Sequence, residues 1–307
     1  MRVSAIEIGT NSTKFIIAEL TEKGSFKVLK RTSTVNRLSS GMYSENNLTP
    51  LAIEKEFEII GNLIDESKKQ EAKLLSVFST SVLRDAANKH VFLDRVKKEY
   101  GIDINVISGE KEAHLAYMAC KEIADKNMAE FAVIDIGGGS TEIIIGNGNN
   151  MDQKLSLNVG AVRLTEMFVR HDPVSESELE QIAVHIEKQI DEMGLSDLSG
   201  LQLIGTGGTI KSLGTISIDQ DYSNESIVNG KVIKRLEIER LFDRLKLLSI
   251  EEKKKLTGLN PKRADVITAG IYILLTIMKR FNIDQIKIST QGVLEGFVAE
   301  YIQTLQQ

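Results

Sequence analysis

The sequence predicts a two-domain α/β protein built from one repeated unit, and three observations carry that prediction. The chain repeats itself at an offset of 128 residues, short β-branched runs alternate with helix-length stretches throughout, and 307 residues is about twice an ordinary domain. Residues 5–17 read AIEIGTNSTKFII and residues 133–145 read VIDIGGGSTEIII, identical at seven of thirteen positions, with Glu7 opposite Asp135. Each copy is an apolar run, a turn of small residues and a second apolar run, the pattern of a hairpin. Because the two copies retain acid, glycine, serine and threonine together, two similar domains are expected to face each other across a cleft.

Further strands are expected near 26–32, 73–79, 103–107, 153–159, 201–205 and 285–289, where β-branched runs meet turn residues. Helices are expected near 50–68, 88–100, 110–124, 161–171, 175–193, 207–216, 236–248, 262–281 and 293–306. Thr49-Pro50 is a helix start, with proline at the first helical position. Asn88 is expected to cap the helix that Gly101 stops. Residues 217–232 read as the most loop-like stretch, and the repeat offset puts a domain boundary near 124–130.

Composition narrows the function classes. A single cysteine, Cys120, excludes a disulfide framework, and the scattered His90, His114, His171 and His185 show no zinc spacing. Net charge is −5, from 38 Lys+Arg against 43 Asp+Glu, which argues against a nucleic-acid polymer as partner. No apolar run reaches membrane-spanning length, and the N-terminal MRVSAIEIGTNS has no signal-peptide core, so a cytoplasmic location without membrane attachment is the expectation. An acidic chain still binds a polyanion where backbone N–H groups or a metal make a site locally positive. The two glycine-serine-threonine turns have that character, and a third glycine loop, Gly205-Thr206-Gly207-Gly208-Thr209, joins a strand to a helix whose N-terminus favours anions.

Taken together, EIGTNSTKFIIAE (7–19), STSVLRDAAN (79–88), ISGEKEAHLAYM (107–118), VIDIGGGSTEIII (133–145), VGAVRLTEMF (159–168), GTGGTIKSL (205–213), RADVITAGIYIL (263–274) and GVLEGFV (292–298) resemble the exopolyphosphatase and guanosine pentaphosphate phosphohydrolase (Ppx/GppA) family over essentially the whole chain. The resemblance implies two actin-like ATPase (ribonuclease H-like) domains, each a mixed sheet with flanking helices. It sets an N-terminal domain at 1–126, completed by a C-terminal helix 297–307, and a second domain at 127–296. With no span left after Gln307 for a further helical module, a short two-domain member is expected.

The same resemblance implies hydrolysis of a terminal phosphoanhydride with Mg²⁺, Mn²⁺ being an alternative. Glu112 matches the catalytic glutamate that activates water, and Arg84 an arginine near it; spacing alone would make Glu112, like Glu110, a first-turn acid complementing a helix dipole. Asp135 and Glu142 are the expected metal carboxylates, joined by Glu7, where the family usually has aspartate. Thr10, Asn11, Ser12, Gly137, Gly138, Gly139, Ser140, Thr141, Gly207 and Gly208 are the expected phosphate-binding residues, with Lys14 and Arg263 as further positive charge. Arg163 is expected to anchor structure, and Met118 and Phe168 to pack in the core. His114 stands where arginine is more usual. The expected activity is an exopolyphosphatase acting on inorganic polyphosphate. A pppGpp 5′-phosphohydrolase is the alternative and a nucleotide-binding switch a more distant one, and a homodimer is implied.

Overall fold

The structure, a computed structural model, describes residues 1–21, 24–125, 128, 130–148 and 150–306. The chain divides into two compact units, Met1–Ala119 with Val293–Gln307, and Cys120–Gly292. The expected boundary at 126/127 lies outside the described residues, as does Gln307, the last residue of the expected closing helix.

In the first unit, β1 (Arg2–Ile8), β2 (Ser12–Leu20) and β3 (Phe26–Val35) form an antiparallel meander. Then come α1 (Met42–Glu45), α2 (Pro50–Lys69), β4 (Lys73–Ser79), α3 (Ser81–Asp85), α4 (Lys89–Tyr100), β5 (Ile104–Val106) and α5 (Gly109–Cys120). β4 and β5 add in parallel, giving the order β3-β2-β1-β4-β5. The second unit repeats the plan with β6 (Phe131–Ile136), β7 (Thr141–Gly146) and β8 (Met151–Leu157) as meander. It continues with α6 (Ala161–Phe168), α7 (Glu176–Met193), β9 (Gln202–Thr206), α8 (Gly208–Ser217), β10 (Val232–Lys234), α9 (Arg235–Leu245), α10 (Ile250–Lys253), α11 (Ile267–Arg280) and β11 (Gln285–Ile288). Its order is β10-β11-β9-β6-β7-β8, with β9 and β11 parallel and β10 an added antiparallel edge. α12 (Val293–Leu305) returns to the first unit. The expected class of two mixed sheets with flanking helices is what the chain adopts. Among the described residues no helix is long and apolar enough to cross a membrane.

The central strands are buried on both faces, which is why β1, β6 and β7 read as continuous apolar runs rather than alternating ones. The first core gathers Ile6, Ile8, Phe15 and Ile17 with Ile60, Val77 and Phe92; the second gathers Ile134, Ile143, Ile186, Leu213 and Leu274. α12 packs into the first unit through Phe297 stacked on Phe78, 5.0 Å between ring centroids, and an Arg31–Glu295 ion pair of 3.1 Å. Gly296 is required there because a Cβ would lie 1.9 Å from the carbonyl oxygen of Leu115.

Helix ends follow side-chain chemistry. Thr49 caps α2 by accepting from the Ala52 N–H at 3.2 Å, and Gly101 closes α4 in the left-handed region at φ 67°. The expected Asn88 cap is not made. The Asn88 side chain pairs instead with both backbone groups of Leu48, at 2.8 and 2.9 Å, so a tertiary contact takes the group that local sequence assigned to the helix. The loop-like 217–232 holds a 3₁₀ segment, Tyr222–Val228, and the start of β10. Residues 261–263 are a 3₁₀ turn, and α11 proper starts at Ile267.

α7 opens with a capping box. Glu178 accepts from the N–H groups of Ser175 (2.8 Å), Arg170 (2.6 Å) and His171 (3.1 Å), and from the Ser175 hydroxyl (2.9 Å). Burial alone would raise its pKa, but these donors and His171 outweigh burial and hold it at about 2. A depressed folded pKa means the stabilisation is complete above the unfolded value of 4.5 and is lost as pH falls through about 2. Glu178→Gln is therefore expected to lower stability at pH 7 by on the order of 3 kcal/mol and to flatten the fall in melting temperature across that acid range. Thermal denaturation of both proteins as a function of pH checks this.

Candidate active site

The first turn, Gly9 to Asn11, closes through the Gly9 N–H donating to the Ser12 carbonyl at 3.1 Å. A Cβ at Gly9 would lie 2.8 Å from that same oxygen, so the closure excludes a side chain. The carbonyl of Asn11 accepts from the N–H groups of Asn36 (3.1 Å) and Arg37 (3.2 Å), and that of Thr10 from Ser39 (3.4 Å). With the carbonyls turned into the protein, the N–H groups of Thr10 and Asn11 donate no hydrogen bond among the described residues. Asn11 Nδ2 is likewise buried without an acceptor, while the Thr10 hydroxyl pairs with Ser81 at 3.0 Å. Successive N–H donors on a turn form an anion-binding concavity.

Behind this turn lies a network that spacing in the sequence does not signal. Glu56, fully buried, accepts from the hydroxyl of Thr13 (2.5 Å) and from Asn36 Nδ2 (2.7 Å), and Asn36 also donates to Thr13 (2.8 Å). Burial pushes the Glu56 pKa up, partly offset by those donors. Its partners lie 43 and 20 residues away in sequence, which is why no local pattern announced it.

Lys14 and Glu7, expected as phosphate and metal ligands, are register partners on β1 and β2 and form an ion pair of 2.6 Å. Glu7 Oε1 takes the ammonium; Oε2 is buried with no hydrogen-bond partner among the described residues. Arg84, at the end of α3, donates through Nη1 to Glu112 Oε2 at 2.8 Å and to the Ile107 carbonyl at 3.1 Å. Glu112, in the first turn of α5, is 6% exposed, whereas Glu110 faces solvent. The two first-turn glutamates that look alike in sequence thus have different surroundings.

The second turn repeats the first. The Gly137 N–H donates to the Ser140 carbonyl at 3.0 Å, and the carbonyls of Gly137 and Gly138 accept from the opening N–H groups of α6, Ala161, Val162 and Arg163, at 3.0, 2.8 and 3.0 Å. Arg163 Nε holds the Gly139 carbonyl at 2.7 Å, the anchoring role expected of it. The N–H groups of Gly138, Gly139 and Ser140 donate no hydrogen bond among the described residues. Gly160 makes this docking possible, since a Cβ there would sit 2.4 Å from the Gly138 carbonyl oxygen. The Thr141 hydroxyl, expected to face phosphate, donates instead to the Val159 carbonyl at 2.6 Å.

Asp135 and Glu142 are register partners across β6 and β7, both buried, and Glu142 Oε1 accepts from Ser156 at 2.7 Å. Asp135 also lies against the third glycine loop. Gly207 has φ 94°, and a Cβ on it would be 2.5 Å from Asp135 Oδ1 and 2.6 Å from the Ile136 carbonyl oxygen. A Cβ on Gly208 would be 2.1 Å from Arg263 Nη1, so the half-buried guanidinium packs directly on the start of α8. Desolvation lowers the Arg263 pKa, with Glu225 and Asp265 opposing it, and arginine stays charged at neutral pH. Lys211, one turn into α8 and not singled out from sequence, pairs with Glu225 at 3.0 Å. In this unit, then, Asp135, Glu142, the 137–140 turn, Gly207, Gly208 and Arg263 share one end of the sheet.

Among the described residues no three His, Cys, Asp or Glu side chains cluster as a closed metal cage. Two buried hard-oxygen carboxylates, Asp135 and Glu142, suit Mg²⁺, which binds through one or two carboxylates, several waters and substrate phosphate rather than a full protein shell. In the first unit Glu7, expected as a third metal carboxylate, is engaged through Oε1 by Lys14, and its Oε2 is buried.

Fold and turns together define a duplicated α/β class with an anion-receptive turn in each unit. The profile of the Ppx/GppA phosphatase family matches residues 16–305. The chain belongs to that family. It is similar to the bifunctional 3-dehydroquinate synthase/phosphatase of Fusobacterium nucleatum, 31% identical over 98% of this chain and 46% of that protein. It is also similar to the guanosine-5′-triphosphate,3′-diphosphate pyrophosphatase of Photobacterium profundum, 28% identical over 99% of this chain and 60% of that one. The crystal structure of an exopolyphosphatase from Cytophaga hutchinsonii superposes with a TM-score of 0.89 at 25% identity, covering 99% of this chain and 98% of the other. The chain thus spans about half to three-fifths of the length of these curated relatives.

The Gly207 geometry generates a prediction. Gly207→Ala strains the backbone and displaces Asp135, and is expected to lower stability by about 1–3 kcal/mol. Thermal denaturation of both proteins checks this.

Proposed function

We propose that the protein is an exopolyphosphatase, hydrolysing the terminal phosphoanhydride of inorganic polyphosphate to orthophosphate, with Glu112 as the group that activates water. The observation that carries the reading is the ion pair at the head of α5 between half-buried Arg84 and buried Glu112, 2.8 Å. The ion pair requires Glu112 as a carboxylate, the form that accepts a proton, and Arg84 fixes the position of that carboxylate through Oε2. Phosphoryl transfer is catalysed mainly by positioning and charge stabilisation, and in each unit the turn by itself, 10–11 in one and 138–140 in the other, offers N–H donors suited to phosphate oxygens without any change of protonation. Arg263 and the start of α8 add a fixed positive charge, and the first N–H groups of that helix point out of its end. Mg²⁺, when bound, offsets charge on the phosphate oxygens, and Asp135 and Glu142 are the residues that would hold it.

A second reading, a pppGpp 5′-phosphohydrolase, uses the same residues on a nucleotide, and the name of the Photobacterium profundum relative favours it. Phosphate release from short polyphosphate, long polyphosphate and pppGpp, measured in parallel with Mg²⁺, separates the two. Release from pppGpp alone would replace the first reading by the second. Release from none of them would remove both.

Glu112→Gln keeps size and removes the base, so kcat is expected to fall roughly 10²–10⁴-fold with substrate affinity retained. Glu110→Gln should leave turnover near wild type, and the reverse ranking would show the wrong carboxylate had been chosen. Asp135→Asn and Glu142→Gln are each expected to lose most turnover and to shift the Mg²⁺ dependence; full activity in chelator with both variants intact would eliminate the metal assignment.

A further inference from the structure

One carboxylate outside the assigned site residues sits where a helix ordinarily buries an aliphatic chain. On α2, Ile53, Glu56, Ile60 and Ile64 follow one another at helical spacing and share the buried face. A carboxylate with no exposed surface is costly there unless donors meet both of its oxygens. They do: the Thr13 hydroxyl donates to Oε1 at 2.5 Å, and Asn36 Nδ2 donates to Oε2 at 2.7 Å. Both donors belong to the surroundings of the first glycine turn.

Asn36 is where this network meets the turn. Its Nδ2 also donates to the Thr13 hydroxyl at 2.8 Å and to the Gly9 carbonyl at 3.4 Å, and its backbone N–H donates to the Asn11 carbonyl at 3.1 Å. Its Oδ1 accepts the Leu38 N–H at 3.2 Å, which sets the path to Ser39, whose N–H and hydroxyl each hold the Thr10 carbonyl at 3.4 Å. Arg37, between them, is kept in the left-handed region at φ 54°, a cost accepted only where the surroundings impose it, and there its N–H reaches the Asn11 carbonyl. In a planar trans peptide the N–H points opposite the carbonyl that precedes it. The Gly9 carbonyl, held by Asn36, therefore aims the Thr10 N–H, and the Thr10 carbonyl, held by Ser39, aims the Asn11 N–H. In the second unit the Arg163 side chain reaches the Gly139 carbonyl directly, at 2.7 Å.

We propose that Glu56 is a positioning residue for anion binding by the first turn: through Asn36 it fixes the peptide planes that aim the Thr10 and Asn11 N–H groups at a phosphate oxygen, without touching the substrate itself. The proposal rests on the reading of that turn as phosphate-binding. The role belongs to the acceptor oxygens and not to the volume of the side chain. Asn36 Nδ2 can only donate, whereas the Thr13 hydroxyl donates or accepts. Glu56→Gln, with its amide oxygen on Asn36 and its amide N–H on Thr13, keeps the link; Glu56→Met, of similar length, removes it.

Inorganic phosphate is the probe, its dissociation constant measured by titration calorimetry on the full chain well below the melting temperature of each variant. Glu56→Met and Asn36→Ala should each raise that constant about tenfold, the scale of one lost hydrogen bond to a charged group, and Glu56→Gln should raise it far less. Combining Glu56→Met with Asn36→Ala should cost no more than either alone, because both act through one link. A residue needed only for packing would lower the melting temperature and leave the phosphate affinity of the folded protein unchanged. That result overturns the proposal, and so do additive losses in the double variant or a loss in Glu56→Gln equal to that in Glu56→Met. Should Glu56→Met not fold, Asn36→Ala compared with Glu56→Gln decides on the same terms. A wild type without affinity for phosphate overturns the proposal together with the phosphate-binding reading of the turn. Phosphate binding that Glu56→Met weakens, with no release from polyphosphate or pppGpp, supports the proposal while removing the phosphatase reading.

Discussion

Both units depend on where the carbonyls of a tight turn go. A backbone that reverses direction at Gly9 or Gly137 must satisfy its oxygens as well as its N–H groups, and here the two kinds of group are separated. In the first unit the oxygens are taken by residues 36–39, in the second by the opening N–H groups of α6. What remains on the other side is a row of donors. The anion-receptive character therefore comes from sending every acceptor inward, and glycine matters as much for that close docking, at Gly9 and Gly160, as for its backbone freedom.

The duplication shows how one plan reaches this arrangement by two routes. Each meander presents its turn at the same corner of a sheet with the same strand order, yet the segments that clamp the turns differ. The first is backed by a loop and the Thr13–Asn36–Glu56 network, the second by a helix and Arg163. The acidic positions have diverged too. Asp135 is left facing Glu142 and Gly207, whereas Glu7, one methylene longer, is drawn into an ion pair with Lys14 on the neighbouring strand. Identical turn chemistry thus coexists with different roles for the carboxylate behind it.

Sequence made the strands and glycine turns legible because their signals are local: β-branched runs, small-residue reversals and a repeat that doubles the signal. It also drew out Gly101 and Thr49, whose roles depend only on near neighbours. It misread Asn88, which binds Leu48 forty residues away, and it passed over β10, a three-residue edge strand. At the site, Glu112 was separable from Glu110 only by family resemblance, since both occupy the first turn of one helix and burial distinguishes them. The Glu7–Lys14 pairing follows from hairpin register, and Thr141 turning to Val159 from the path of a later segment. Glu56 left no trace at all, lying inside an amphipathic helix.

The discontinuity of the first unit has a consequence for how the chain is made. Residues 1–119 precede the second unit in the chain and α12 follows it, so the second unit, contiguous from 120 to 292, is synthesised before the first has all its parts. Until α12 is made the nascent chain carries Phe78 without Phe297 and Arg31 without Glu295. The unit that starts earlier in the chain is thus the one whose parts are completed later, by the thirteen residues of α12.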